Sequence, residues 1–341
     1  MLIFPWSAGD CWQLAPVALV IDLLFGDPPL PWPHPIRAVG KLIDMAEKPA
    51  RFIEGASKGK LLRGRAAGAI ALLACCAIVG GAVWGLISLP WGGGLFALYL
   101  AWAGLAMGCL LDTGRETISR TESAPLPEAR VAVSWLVSRE TGQMDRSTLR
   151  KTLADTLSEN FTDAFVAPFF WLCLCGPAGL WIYKTVSCFD SQWGYLTPRW
   201  KALGWAGAKL DDLLAWIPAR LGALSLFLCD KIYSLFPSSR SWRGSWPGWK
   251  VIAKDAKGMP SPNSGWSMAA CAWLCDGRMA GPSVYFGELV PKAWLGPPGE
   301  NAGWDRLKLA SLLRLTRSAA IIAGIIICVA GIILWSVARL V

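Results

Sequence analysis

The sequence predicts an all-α integral membrane protein, a multi-span helical bundle with about 4–6 membrane segments, and three observations predict it. Of the 341 residues, 54% are hydrophobic and only 17% charged, against roughly 25% charged in a soluble domain. The charges are also segregated: 66–111, 164–183 and 318–338 contain no Asp, Glu, Lys or Arg. Crossing the hydrocarbon core takes ~20 mostly apolar residues, so the first run holds two spans and each of the others one.

Taken in order, the candidate membrane segments are 11–25, 66–89, 92–111, 164–183, 213–229 and 318–338, in a single membrane-embedded domain over 1–341. The first Lys or Arg is Arg37, so the N-terminus lacks the basic region of a signal peptide, and 11–25 reads as a retained segment. Leu89-Pro90-Trp91-Gly92-Gly93-Gly94 reads as a tight uncharged hairpin. Two segments are expected to be broken or re-entrant. Pro168 and Gly176-Pro177 interrupt 164–183, and 213–229 carries Pro218 and Arg220. Broken helices at membrane depth line a protein interior or a cavity, and an Arg there marks a cavity or a partner. Trp84, Trp91, Trp102, Trp171, Trp181 and Trp335 lie in or near the spans, where interfacial anchoring is expected.

The polar segments fix the expected orientation. Residues 26–65 hold eight Lys and Arg against four acids, and 230–317 twelve against six. Lys and Arg concentrate on the cytoplasmic side, which puts 26–65, 112–163 and 230–317 there. The expected location is the cell inner membrane, multi-pass, with a cytoplasmic active face. The net charge of +9 fits contact with anionic lipid and not nucleic acid, because no basic and aromatic platform is present. His34 is the only histidine and the eleven cysteines form no CxxC pair, which excludes multi-histidine metal chemistry and leaves the cysteines as packing residues. No phosphate-binding GxxxxGK[ST] loop, GxGxxG turn, GxSxG elbow or HExxH appears.

The acids are the chemical signal. On a helix, Asp155, Glu159 and Asp163 form one stripe at i, i+4 and i+8, where like charges repel. A cation such as Mg²⁺ would relieve them, and a solvated helix face is the alternative. Asp190, Lys209, Asp211, Asp212 and Arg220 form a second constellation, in which an Asp–Arg structural pair is as good a reading as a catalytic one. Asn263, in Ser261-Pro262-Asn263-Ser264-Gly265, stands where a helix begins, as a cap or beside a phosphate. Asp27, His34 and Arg37 lie along a Pro-rich path that presents them to a ligand, and His34 reads equally as structural.

In order along the chain, Asp22…Gly26-Asp27-Pro28…His34-Pro35, Ser158-Glu159-Asn160…Asp163…Ala167-Pro168-Phe169, Phe189-Asp190-Ser191…Gly194-Tyr195, Asp211-Asp212…Ile217-Pro218-Ala219-Arg220, Ser261-Pro262-Asn263…Gly265-Trp266 and Tyr285-Phe286-Gly287 resemble the adenosylcobinamide-phosphate synthase family of cobalamin biosynthesis, the CbiB/CobD type. The chain departs from the family pattern at Ser187 and Ala215, where Asn is usual. The resemblance implies ATP-dependent amide ligation of adenosylcobyric acid with (R)-1-aminopropan-2-ol or its O-phosphate. ATP is then a co-substrate with Mg²⁺, and the bilayer and other corrinoid-pathway enzymes are the expected partners. On this reading Glu159, Asp163, Asp190 and Arg220 are catalytic. Asp27, His34, Arg37, Asn160, Lys209 and Asn263 bind substrate. Asp155, Glu159, Asp163, Asp211 and Asp212 are the metal candidates. A transporter of an anionic or corrinoid substrate, or a scaffold for corrinoid enzymes, is the alternative.

Overall fold

The computed structural model describes residues 8–28, 34–55, 60–285, 287–299 and 302–338. The Pro-rich path at 29–33, Ser57 and Phe286 lie outside the described residues, as does the side chain of Trp335. In order, the helices are α1 (Ala8–Phe25), α2 (Pro35–Glu54), α3 (Lys60–Ile87), α4 (Gly93–Gly104), α5 (Met107–Ser123), α6 (Leu126–Ser134) and α7 (Arg146–Phe161). A π-turn over Thr162–Val166 leads into α8 (Ala167–Trp193), then α9 (Trp205–Leu214), α10 (Trp216–Ser234), α11 (Trp249–Ala256), α12 (Ser264–Leu274) and, after four short strands, α13 (Arg306–Ala338).

The chain is an all-α multi-span membrane protein. Among the described residues, Leu61–Ile87, Gly93–Ser123, Arg146–Trp193 and Arg306–Ile333 are long and apolar enough to cross a membrane, and α9 with α10, taken as one broken span, adds a fifth candidate. The predicted first segment, 11–25, lies in helix α1 and is apolar over Gln13–Phe25. The predicted span at 92–111 is interrupted. α4 ends at Gly104, Leu105 is extended, and α5 starts afresh at Met107.

Arg146–Trp193 holds 48 residues, more than twice what one crossing needs, and it is broken where the sequence predicts. Gly176 has φ 67° and ψ −167°. The ring of Pro177 disfavours the helical region for the residue before it, and glycine alone takes that left-handed alternative without strain.

The chain divides into two compact units, one of 1–106, 167–215 and 327–341, the other of 107–166 and 216–326. In the first, α8 packs against α1, α3, α4 and α9. Three of the tryptophans in or near the spans tie elements together through their indole N–H groups. Trp181 donates to the Leu100 carbonyl (2.9 Å), Trp102 to Gly26 (2.7 Å) and Trp171 to Leu214 (3.2 Å). An apolar segment has few free acceptors, so each donation satisfies a group that lipid would leave unpaired. Trp91, on the hairpin between α3 and α4, is 90% exposed. Where α9 meets the end of α8, a Cβ on Gly204 would stand 1.7 Å from the Trp193 carbonyl oxygen, so only glycine permits that approach.

In the second unit, α7 and α12 form the centre, with α5, α6 and α10 against them and α11 on α12. The buried faces are rich in small and branched residues, among them Ala269, Ala270, Cys271 and Leu157. Cys271 and Cys275 are buried free thiols. Burial pushes the Cys271 thiol up to about 12, which suits packing rather than metal ligation. The strands, which the hydrophobic pattern did not announce, make two antiparallel pairs. β1 (Met279–Ala280) pairs with β4 (Trp294–Leu295), and β2 (Ser283–Tyr285) with β3 (Glu288–Val290).

Candidate functional site

The acidic stripe on α7 does not form one cluster. Asp155 is fully buried, and protein donors take both of its oxygens. Arg139 Nη1 lies 2.5 Å and Lys151 Nζ 3.1 Å from Oδ2, and the Ala280 backbone N–H donates to Oδ1 at 2.8 Å. The cations that relieve the stripe at this end are thus an arginine and a lysine, and protein donors already engage both Asp155 oxygens. Beyond it the π-turn adds a residue to the helical repeat and rotates Asp163 off the ideal stripe. Among the described residues, no three His, Cys, Asp or Glu side chains gather closely enough to hold a metal ion. The three-carboxylate metal set expected from spacing is therefore not assembled. Lys151 at i−4 from Asp155 was legible as a helical ion pair. Arg139, 16 residues away across a loop, was not.

Ala280 records what this network costs. Its φ of 57° is a left-handed conformation that costs a non-glycine residue ~1–2 kcal/mol. It is held there by its N–H on Asp155 and its carbonyl accepting from Lys151 at 2.5 Å. Ala280→Gly is expected to stabilise the protein by about 0.5–1 kcal/mol after glycine's extra chain entropy is counted. A rise in the thermal midpoint measures this, and an unchanged or lower midpoint would show that the conformation is unstrained.

Glu159, one turn beyond Asp155, differs in kind. It is only partly buried and faces Arg139 and Lys292, with the Asp155 carboxylate behind. Among the described residues no hydrogen bond or ion pair closes on it, so its oxygens are open to a ligand. Asp163 is also half-buried. The Asn160 side chain donates back to the Thr156 carbonyl of its own helix (3.0 Å).

Asn263 does not cap α12. Its side chain makes no capping bond, and Oδ1 instead accepts from Arg220 Nη1 at 2.9 Å. The Arg220 guanidinium also donates to the Trp216 carbonyl (2.8 Å) and lies over the rings of Trp216 (4.2 Å) and Trp266 (5.0 Å). Two aromatic faces and an amide hold one cation rigidly. Asn263 therefore positions an arginine, and the sequence reading of it as a cap was wrong because the arginine comes from 43 residues away.

The remaining predicted residues lie in the first unit. Asp190, near the end of α8, faces Asp212 on α9, and both are half-buried, as is Asp211. Asp190 Oδ1 would stand 2.1 Å from a Cβ on Gly194, which explains a glycine four residues on. Lys184, absent from the sequence reading, sits one helical turn from Cys188 and faces both it and His34. Asp27, Arg37 and Lys209 are exposed.

His34 caps α2 by accepting the Ile36 N–H at Nδ1 (3.3 Å). Burial lowers its pKa, Asp27 raises it, Lys184 lowers it, the Ala103 backbone raises it and Arg37 lowers it, for a net position below 6.5. Below 6.5 the unfolded chain then binds a proton that the native state resists, so stability falls as pH falls through that window. We expect the thermal midpoint to decline below about pH 6.5 with a slope that His34→Gln reduces. An identical slope in the variant would remove His34 from this role.

By class, then, this is a multi-span helical membrane protein whose two units each carry half-buried carboxylates. The chain belongs to the CobD/CbiB family: the family described as CobD/Cbib protein matches residues 15–338. It is 33% identical over 302 residues to the cobalamin biosynthesis protein CobD of Photorhabdus laumondii, covering 88% of this chain and 92% of that one. CobD of Klebsiella pneumoniae is 30% identical over 312 residues (90% and 94% covered). CbiB of Salmonella typhimurium is 30% identical over 321 residues (93% and 97% covered). No solved structure matches. Membership gives the chain a role in cobalamin biosynthesis.

Proposed function

We propose that the chain joins the free carboxyl of adenosylcobyric acid to the amine of (R)-1-aminopropan-2-ol or its O-phosphate, with cleavage of ATP. Condensing a carboxylate with an amine is uphill in water, so a coupled phosphoryl donor is required. Family membership over 15–338 supports the reading, and the observation that carries it is Glu159. It is a carboxylate without a hydrogen-bond partner among the described residues, in the field of Arg139 and Lys292. Glu159 and Asp163 are the residues that suit Mg²⁺, since that ion uses one or two protein carboxylates and takes its other oxygens from phosphate and water. When bound it would neutralise charge on the phosphoryl group. Arg220, fixed between two indoles, is suited to orient an anionic substrate group. Asp27, His34, Arg37, Asp190, Lys209, Asp211 and Asp212 are the candidates for holding substrate in the first unit.

Amide formation by purified protein in detergent tests the reading, because neither a carrier nor a scaffold makes an amide. Absence of product with every substrate supplied would end it. We further propose that 26–65, 112–163 and 230–317 face the cytoplasm of the inner membrane, which the excess of Lys and Arg in the first and last supports. A cysteine at Ser241 should resist an impermeant thiol reagent in intact cells, and labelling there would reverse the orientation.

A further inference from the structure

A cavity of about 340 Å³ beside the start of α7 shares only Lys151 with the sites above. Lys151, Arg278, Ser147, Thr148, Trp294 and Trp304 line it, and no described lining residue is a carboxylate. Both cations lie over one indole, with Arg278 4.5 Å and Lys151 5.5 Å from the Trp294 centroid. The walls are fixed. The β1–β4 ladder pairs Trp294 with Ala280, and Trp304 Nε1 donates to the Arg278 carbonyl at 2.7 Å.

Among the described residues that line the cavity, the cations have no carboxylate to balance them. Lys151 is already committed to Asp155 and the Ala280 carbonyl. Among the described residues the Arg278 guanidinium has the Trp294 ring and no ion pair. Two cations sharing one ring repel each other, and the group that lowers this energy is an anion entering from solvent. A guanidinium offers a planar fork that matches phosphate oxygens, an ammonium adds a point charge, and hydroxyls at the rim donate further bonds. The indoles give a flat apolar surface to whatever the phosphoryl group carries.

We propose that this cavity binds the phosphoryl end of a phosphorylated ligand, with Arg278 and Lys151 as the anion contacts and Trp294 as the floor. The ligand is a nucleoside triphosphate or a small amino-alcohol phosphate, an identity that rests on the ligase reading. The phosphoryl group is common to both. Lys151 lies eight residues before Glu159 on α7, roughly 12 Å along the axis at 1.5 Å per residue, so one helix carries both the anion contact and the open carboxylate.

The test is calorimetric titration of the full chain in lipid nanodiscs. The titrants are a non-hydrolysable ATP analogue and aminopropanol O-phosphate, with adenosine and aminopropanol as unphosphorylated counterparts. We expect a phosphorylated titrant to bind more tightly than its counterpart, and whichever does so identifies the source. Arg278→Ala should weaken that binding tenfold or more, and Arg278→Lys should weaken it less. Arg243→Ala, in a different cavity of the same unit, should leave it unchanged. Should Arg278→Ala not fold, the wild-type protein still reports, because bound ligand should protect Lys151 from acetylation read by mass spectrometry. Equal affinity in Arg278→Ala, or no protection of Lys151, overturns the proposal. Arg278-dependent binding in a protein that makes no amide would sink the ligase reading alone. Unchanged KM for both phosphorylated substrates in an active Arg278→Ala enzyme would sink the cavity alone.

Discussion

Asp155→Asn is expected to destabilise the protein by about 3–5 kcal/mol, because removing one partner of a buried ion pair strands the other. Asp155 is fully buried, and Arg139 is nearly so. Without the carboxylate, the Arg139 and Lys151 charges and the Ala280 N–H lose their common acceptor in a place where water does not replace it. The neutral amide keeps the shape and one acceptor oxygen, so the loss is electrostatic rather than a cavity effect. The measurement is the yield of folded protein and its midpoint in a denaturation series. A normally folded, catalytically silent Asp155→Asn protein would instead return Asp155 to the metal-ligand role that its spacing suggested. Replacing Asp155 and Arg139 together with apolar residues of similar size should recover part of the loss, since desolvating the pair is itself expensive.

Glu159→Gln and Asp163→Asn are expected to do the opposite, leaving the fold intact and slowing ligation by roughly one to three orders of magnitude, at ~1.4 kcal/mol per factor of ten. Neither side chain is fully buried, and Glu159 closes no hydrogen bond or ion pair among the described residues. Its truncated charge therefore strands no partner of the kind Asp155 would. If these carboxylates meet the metal ion that accompanies the nucleotide, the Mg²⁺ needed for half-maximal rate should rise in both variants while corrinoid affinity holds. Turnover at the wild-type rate with an unshifted Mg²⁺ titration would assign both residues to an ordinary helix face. The two experiments together separate neighbours one turn apart on one helix, the first structural and the second chemical.

Much of the architecture was legible because it follows from local composition. Uncharged runs long enough to cross a bilayer announce spans, and Gly176-Pro177 announces a break, since ring sterics act between adjacent residues. The order of short motifs from Asp22 to Gly287 was enough to identify the family, because order along a chain is a property of sequence.

What the tertiary structure decided concerns pairs of residues distant in sequence. The repulsion within the stripe was visible, and so was the need for a cation. That Arg139 and Lys151 supply it at Asp155, and leave Glu159 open, depends on a loop folding back to bring a guanidinium within 2.5 Å. That Asn263 holds Arg220 instead of a helix end depends on α10 approaching α12. The tryptophans pair with carbonyls of other elements, and the Trp294 cavity is assembled from α7 and a strand pair that no periodicity signalled. Local sequence determines which groups carry charge and where the chain must bend. Only packing determines which charges meet, because Coulomb energy depends on distance in space and the sequence records distance along the chain.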